Sequence, residues 1–473
     1  MSERIIHLNA FENFSPGNIS SGMWRHPQDR SHEYTSLRYW TRLARDLEDA
    51  GFDAIFMADI LGMLDAYQNR PDEALRTASQ VPINDPVAVV SAMAAVTERI
   101  GFAVTLSTSY WQPYLLARTL TSLDHLSDGR VGWNIVTSFL DSAARNIGTG
   151  TQLEHDRRYD RADEFLDVTH KLWERSWQDD AVVRDKERGI YTDPSRVHPI
   201  EHQGEFFTVP DAFLAEPSAQ RTPVLFQAGS SGRGQRFAAQ HAEGLFVHGT
   251  RPEVIAPIVA AVRAEALSLG RSPDAIKAFA VATVVTGETD EIARAKYQDL
   301  LRYSDYGGAM VQFAGPVGVD LATIDPDTPL RDIQSNGAQF SARFFASADP
   351  DRVWTLREVA DYMAVGGMGP VIVGSGATVA DELERWCEVA DLDGFNLAYA
   401  VRPGTFDDII RYVIPELRRR GRLPERQGAS TLRENLYGEG APGLRADHPH
   451  WSIDIPSRTR GRDGSHTHAE PQG

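Results

Sequence analysis

Val224 to Gln240 reads VLFQAGSSGRGQRFAAQ, an apolar run that enters a turn of small residues and leaves as a helix. Such a turn offers free backbone N–H groups and the positive end of a helix dipole, together a seat for a phosphate. Ser230 and Ser231 add hydroxyl donors and Arg233 a cation. The same residues also make a tight turn with Ser230 as helix cap, and the sequence leaves both readings open. Upstream, EHDRRYDRADEF places His155 and Tyr159 on one helix face, where an imidazole and a phenol can bond one extended polar ligand. Taken alone, the segment is better explained as a solvated helix laced with Asp–Arg pairs.

Polar residues also recur where apolar runs end: Asp59, then Thr105 and Ser107, then Asn134 and Thr137. At the ends of barrel strands such residues face an active-site mouth, and singly each is also ordinary turn chemistry. Phe11, Trp24, Phe56, Tyr110, Trp111 and Trp133 lie near the same ends. Phe11, Trp24, Phe56 and Trp111 are candidates for the wall of an apolar substrate pocket, although aromatic residues commonly build plain core. His26, in GMWRHPQD, is the candidate proton-handling group beside them. There is no Walker-type phosphate loop, dinucleotide glycine fingerprint, zinc-protease motif, nucleophile elbow or acidic metal loop. The 14 histidines are scattered, with a ligand-like grouping only in the HTH near the C-terminus. These patterns point to a phosphorylated organic cofactor and to no metal.

Eight apolar runs can position these residues, starting near 5, 54, 102, 131, 224, 244, 276 and 394. Helix-period segments separate them, for example Leu37, Trp40, Leu43, Ala44 and Leu47, stopped by Gly51. Strands alternating with helices predict an α/β fold, a closed (β/α)8 TIM barrel. Two stretches break the repeat, 138–222 and 304–370, which places insertions after strands 4 and 7 at the active-site rim. One domain over 1–445 is expected, then a polar, disordered tail over 446–473. The net charge of −18 argues against nucleic acid and against an anionic membrane surface. The single cysteine, Cys387, rules out a disulfide within the chain, and no signal-peptide core or run of 18 apolar residues is present. A cytoplasmic setting is the expectation.

The assembled motifs resemble a known family. TLTSLDHLSDGRVGWNIVTS, Thr119 to Ser138, is similar to the signature of bacterial-luciferase-like flavin monooxygenases. The similarity is to the branch holding nitrilotriacetate monooxygenase component A, dibenzothiophene sulfone monooxygenase and dimethylsulfide monooxygenase. MADILG, SAMAAVTERIGF, EHDRRYDRADEF, PVLFQAGSSGRG, DGFNL, VIPELRRRG and STLRENLYG match in order, and QVPINDP and NLYGEGAP look nearest the dimethylsulfide type.

The resemblance implies a TIM barrel that binds reduced FMN delivered by a separate NAD(P)H:FMN reductase and uses O2. It assigns cofactor contacts to Asp59, Thr105, His155, Tyr159, Ser230 and Ser231, with Asn134 as a neighbour. Ser230, Ser231 and Tyr159 suit the phosphate, and His155 the ribityl chain. One oxygen atom would enter a carbon beside sulfur or nitrogen, and the unstable product would break into a thiol or amine plus an aldehyde. Few basic residues stand near the strand ends, with Arg25 and Arg118 as exceptions, which favours a small organosulfur substrate over an aminopolycarboxylate such as nitrilotriacetate. A deazaflavin-dependent dehydrogenase and a non-catalytic flavin-binding protein are the alternatives. Expected partners are the reductase, a small-molecule substrate and other copies of the chain.

Overall fold

The computed structural model describes residues 4–452 except 230, 350, 424–429 and 441. Eight strands form the barrel: β1 (His7–Asn13), β2 (Ala54–Ala58), β3 (Gly101–Ser107), β4 (Val131–Val136), β5 (Val224–Gln227), β6 (Gly244–Val247), β7 (Lys277–Gly287) and β8 (Gly394–Ala398). Each pairs in parallel with the next, and His7 of β1 lies opposite Gly394 of β8, which closes the sheet. The eight-stranded barrel and both insertion points are as the sequence predicts.

Local sequence explains the repeat. Helix Leu37–Ala50 buries Trp40, Leu43, Ala44 and Leu47 on one face. It stops at Gly51, whose φ of 95° suits a residue without a Cβ. Helix Pro113–Leu126 starts with proline, whose missing N–H costs nothing in the first turn.

Inside the barrel, Phe11, Phe56, Phe226, Phe246 and Phe279 form an apolar layer. Helix Leu432–Tyr437, secured by the Thr431–Glu434 capping box, plugs the end below it. A Cβ on Gly101 would lie 2.5 Å from a Leu432 methyl, and one on Gly132 would lie 3.1 Å away, so glycine admits the plug.

The insertion between β4 and β5 contains helix His155–His170 and the hairpins 182–192 and 202–209. The insertion after β7 carries helices Tyr306–Val317, Asn336–Ala348 and Leu356–Gly366. Met310, Phe313, Phe345 and Val359 share a second apolar core with Leu64, Tyr67 and Val81 after β2 and Leu140 after β4. This insertion is therefore packed against the rim loops. An extra strand, Val371–Ser375, pairs with the far half of β7. The 11-residue β7 is long enough to hold this ninth strand outside the eight-strand repeat.

The predicted tail needs one correction. Residues 446–452 are packed: His448 and His450 are buried, and the His448 Nε2 donates to the His241 carbonyl at 3.1 Å. The rest of the predicted tail, 453–473, lies outside the described residues. Among the described residues, no helix is long and apolar enough to cross a membrane.

Candidate functional site

A cleft of about 230 Å³ opens at the C-terminal end of the barrel strands. Its wall includes Asp59 and Leu61 after β2, Ile135 to Leu140 at and after β4, Arg158 and Tyr159, and Gln227 to Gly229 at the end of β5. Barrel enzymes work at this face because the βα loops converge there.

One side of the cleft is a cradle. The β5 strand turns through Gly229 into helix Gly232–His241, and the Ser231 hydroxyl caps that helix by accepting from the Gly234 N–H at 3.0 Å. His155 Nδ1 bonds Asp156 at 2.7 Å, leaving Nε2 to meet the Ser231 hydroxyl at 3.3 Å. The His155 and Tyr159 rings lie 5.2 Å apart, as their spacing predicts. Burial pushes the Tyr159 pKa up, against hydrogen bonds to Ser231 and Gln227. Arg233 is not free to act as a phosphate cation, because it pairs with Asp160 and Asp163. Ser230 lies outside the described residues.

Next to the cleft, β3 and β4 carry a relay of strand-end groups. Thr105 donates to the Met57 carbonyl at 2.8 Å and accepts from Asn134 Nδ2 at 2.9 Å. That bond fixes the Asn134 amide and leaves its buried Oδ1 without a protein partner, as is Gln227 Oε1. Buried acceptors normally have a donor. Gln227, beside the glycine turn on the cleft wall, therefore has an acceptor free for a ligand N–H or O–H group. Burial, with Asp85 adding repulsion, pushes the Asp59 carboxyl up to about 7.

Gln227 and Arg158 escaped the sequence reading. Gln227 obeys the same strand-end rule as Asn134 and is the last residue of β5. Arg158 carried no signal within a helix of alternating charges.

The other candidates lie elsewhere. His26 is not on the cleft wall: its Nε2 bonds Asp299 at 3.1 Å and its Nδ1 accepts from the Gln28 N–H at 3.2 Å. With both nitrogens engaged, His26→Ala is expected to lower stability by about 1 kcal/mol and leave coupled turnover unchanged. Parallel melting and product assays check this. Trp24 is exposed and donates to the Thr77 carbonyl at 3.0 Å. Phe11 and Phe56 are barrel core, 5.9 Å apart, and form the floor of the mouth. Trp111 packs on the outer core and Trp133 is fully buried. These aromatic side chains therefore do not wall the cleft. Arg25 is spent on the Tyr303 carbonyl at 2.7 Å. Among the described residues, no group of three or more His, Cys, Asp or Glu side chains is arranged to hold a metal.

Comparison with known proteins agrees with this architecture. The family model described as luciferase-like monooxygenase matches residues 21–391. The chain is 48% identical to dimethyl-sulfide monooxygenase of Hyphomicrobium sulfonivorans, over 95% of this chain and 93% of that one. It is 45% identical to long-chain alkane monooxygenase of Geobacillus thermodenitrificans, over 94% and 96%. The crystal structure of DmoA from Hyphomicrobium sulfonivorans superposes with a TM-score of 0.90, covering 95% of this chain and 96% of that one. A riboflavin lyase crystallised with modified FMN and riboflavin gives 0.87 at 38% identity, covering 96% and 100%. With a matched region and relatives of this extent, the chain belongs to the luciferase-like monooxygenases, a family of flavin-dependent enzymes.

Proposed function

We propose that the protein is the oxygenase component of a two-component monooxygenase. It would take reduced FMN from an NAD(P)H:FMN reductase and oxidise a small organosulfur compound with C–S cleavage. The observation that carries this reading is the cleft, with a phosphate cradle at one end and an apolar wall of Leu61, Ile135, Phe139 and Leu140. Ser231, Tyr159 and the turn amides would hold the phosphate, together with Ser230 from the family resemblance. His155 would hold the ribityl chain, and Asp59, Thr105 and Asn134 the ring. Reduced flavin supplies two electrons to O2, so that one oxygen atom enters the substrate and the other leaves as water.

The chain's own task is to orient the substrate and keep bulk water out. Asp59 and Arg158 are the charged side chains on the cleft wall, and one cation does not match a substrate with several carboxylates. This composition, with the relationship to dimethyl-sulfide monooxygenase, favours a weakly polar thioether. Oxygenation of its carbon beside sulfur would give R–S–CH2–OH, which divides into R–SH and formaldehyde. A second reading, hydroxylation of an alkane, draws on the same apolar wall and on the 45% identical alkane monooxygenase. Incubation with a reductase, NADH and O2 separates them. Thiol plus aldehyde from a methyl thioether is expected. An alcohol from an alkane, with thioethers untouched, would overturn the proposal.

Asp59 supplies a pH test. Its carboxyl is neutral below about 7 and anionic above, and an anion there opposes an electron-rich reduced flavin. Reduced-FMN affinity is expected to weaken as pH rises through 7 in the wild type and to stay flat in Asp59→Asn. Anaerobic titration at several pH values reads this out.

A further inference from the structure

His248 follows β6 and plays no part in the cradle. Phe246, two residues earlier, points into the barrel, its ring stacked on Phe56 at 5.4 Å and tilted against Phe11 at 5.5 Å. His248 is the first residue beyond β6, so it stands at the C-terminal end of the barrel next to the inward-facing Phe246. Its ring stands edge-on to Phe246, with centroids 5.1 Å apart and planes at 88°. The residue is exposed to solvent, between the buried Val247 and Gly249. β2 and β6 are four strands apart in the closed barrel. The Phe56–Phe246 stack shows that their inner faces meet. Asp59, just beyond β2, and His248, just beyond β6, therefore extend from opposite strands of the same mouth.

We propose that His248 is a catalytic residue that moves the proton when the oxygenated thioether divides; this rests on the thioether reading above. The neutral imidazole removes the hydroxyl proton of R–S–CH2–OH. The O–H electron pair forms the C=O bond, and the C–S pair leaves on sulfur. The imidazolium then returns its proton to the thiolate, giving R–SH and formaldehyde with no further oxidant or reductant. The surrounding protein lowers the imidazole and no charged side chain raises it, so the neutral ring is the form able to accept. Asp59, raised to about 7, can retain a proton at neutral pH.

The test uses the full chain with a flavin reductase, NADH, O2 and a methyl thioether, and follows substrate loss, thiol and H2O2 in rapid-mixing experiments. In the wild type, thiol should appear together with substrate loss. In His248→Ala and His248→Gln, thiol should lag at least tenfold behind substrate loss. FMN affinity, KM and melting temperature should be unchanged, and added imidazole should shorten the lag. In the flavin-free protein, an imidazole proton resonance absent from His248→Ala should move when product thiol is added. Coincident thiol and substrate curves in His248→Ala, or full rescue by glutamine, would overturn the assignment of proton transfer. A wild type that leaves every thioether intact would overturn the parent reading, and this inference with it.

Discussion

Gly229→Val is expected to weaken FMN binding at least 100-fold without unfolding the barrel. A Cβ at Gly229 would lie 2.8 Å from the Tyr159 hydroxyl and 2.9 Å from the Gly234 Cα. The first contact displaces a residue of the proposed phosphate seat, and the second pushes on backbone that cannot step aside. Overpacking of this kind costs about 1–3 kcal/mol, and a hundredfold loss of affinity corresponds to about 2.7 kcal/mol. Gly232 is the control, because a Cβ there meets nothing within 4 Å. Gly232→Ala should bind flavin as the wild type does, by fluorescence titration of purified protein. Equal affinities for Gly229→Val and Gly232→Ala would remove this turn from the cofactor site.

Arg433→Met is expected to produce the largest loss of stability. Arg433 Nε reaches Glu243 Oε1 at 2.7 Å and Nη2 reaches Oε2 at 2.9 Å, and both side chains are essentially inaccessible to water. The guanidinium also donates to the carbonyls of Thr222 and Pro442, at 2.9 and 2.6 Å. Removing one member of a buried pair leaves the other charge uncompensated, which costs about 3–5 kcal/mol. Denaturant unfolding should show a loss of that size. Arg433→Met combined with Glu243→Leu should recover much of it, because no isolated charge then remains. A single variant as stable as the wild type would mean the pair contributes nothing net.

The two sites differ in how far the sequence announces them. All eight barrel strands were legible, because parallel strands buried on both faces read as short apolar runs between helices. His155 and Tyr159 were legible as a pair, since helical periodicity alone puts them on one face. Asn134 and Thr105 were legible as strand-end groups, but the bond that turns the amide and orphans its oxygen depends on the register of β3 against β4. His26 and Trp24 misled because nearness to a strand end does not fix direction: the chain leaves β1 in a long loop that carries both away from the cleft, toward Asp299 and Thr77. Phe11 and Phe56 point inward as expected, yet below the mouth, a distinction that requires the height of each residue in the barrel. His248 stayed hidden because a lone histidine beside an aromatic residue has no periodic signature.

The plug also constrains how the polypeptide can be made. Leu432 seals the underside of a barrel whose first strand begins at His7, and Asn9 on that strand bonds Asn396 across 387 positions of sequence at 2.8 Å. During synthesis, β1 to β7 leave the ribosome with the facing edges of β1 and β7 unpaired and the phenylalanine layer open from below. The sheet closes only when β8 emerges, in the last sixth of the chain, and the plug follows in the last tenth, so the emerging intermediate displays strand edges and apolar rings to other chains for most of its translation.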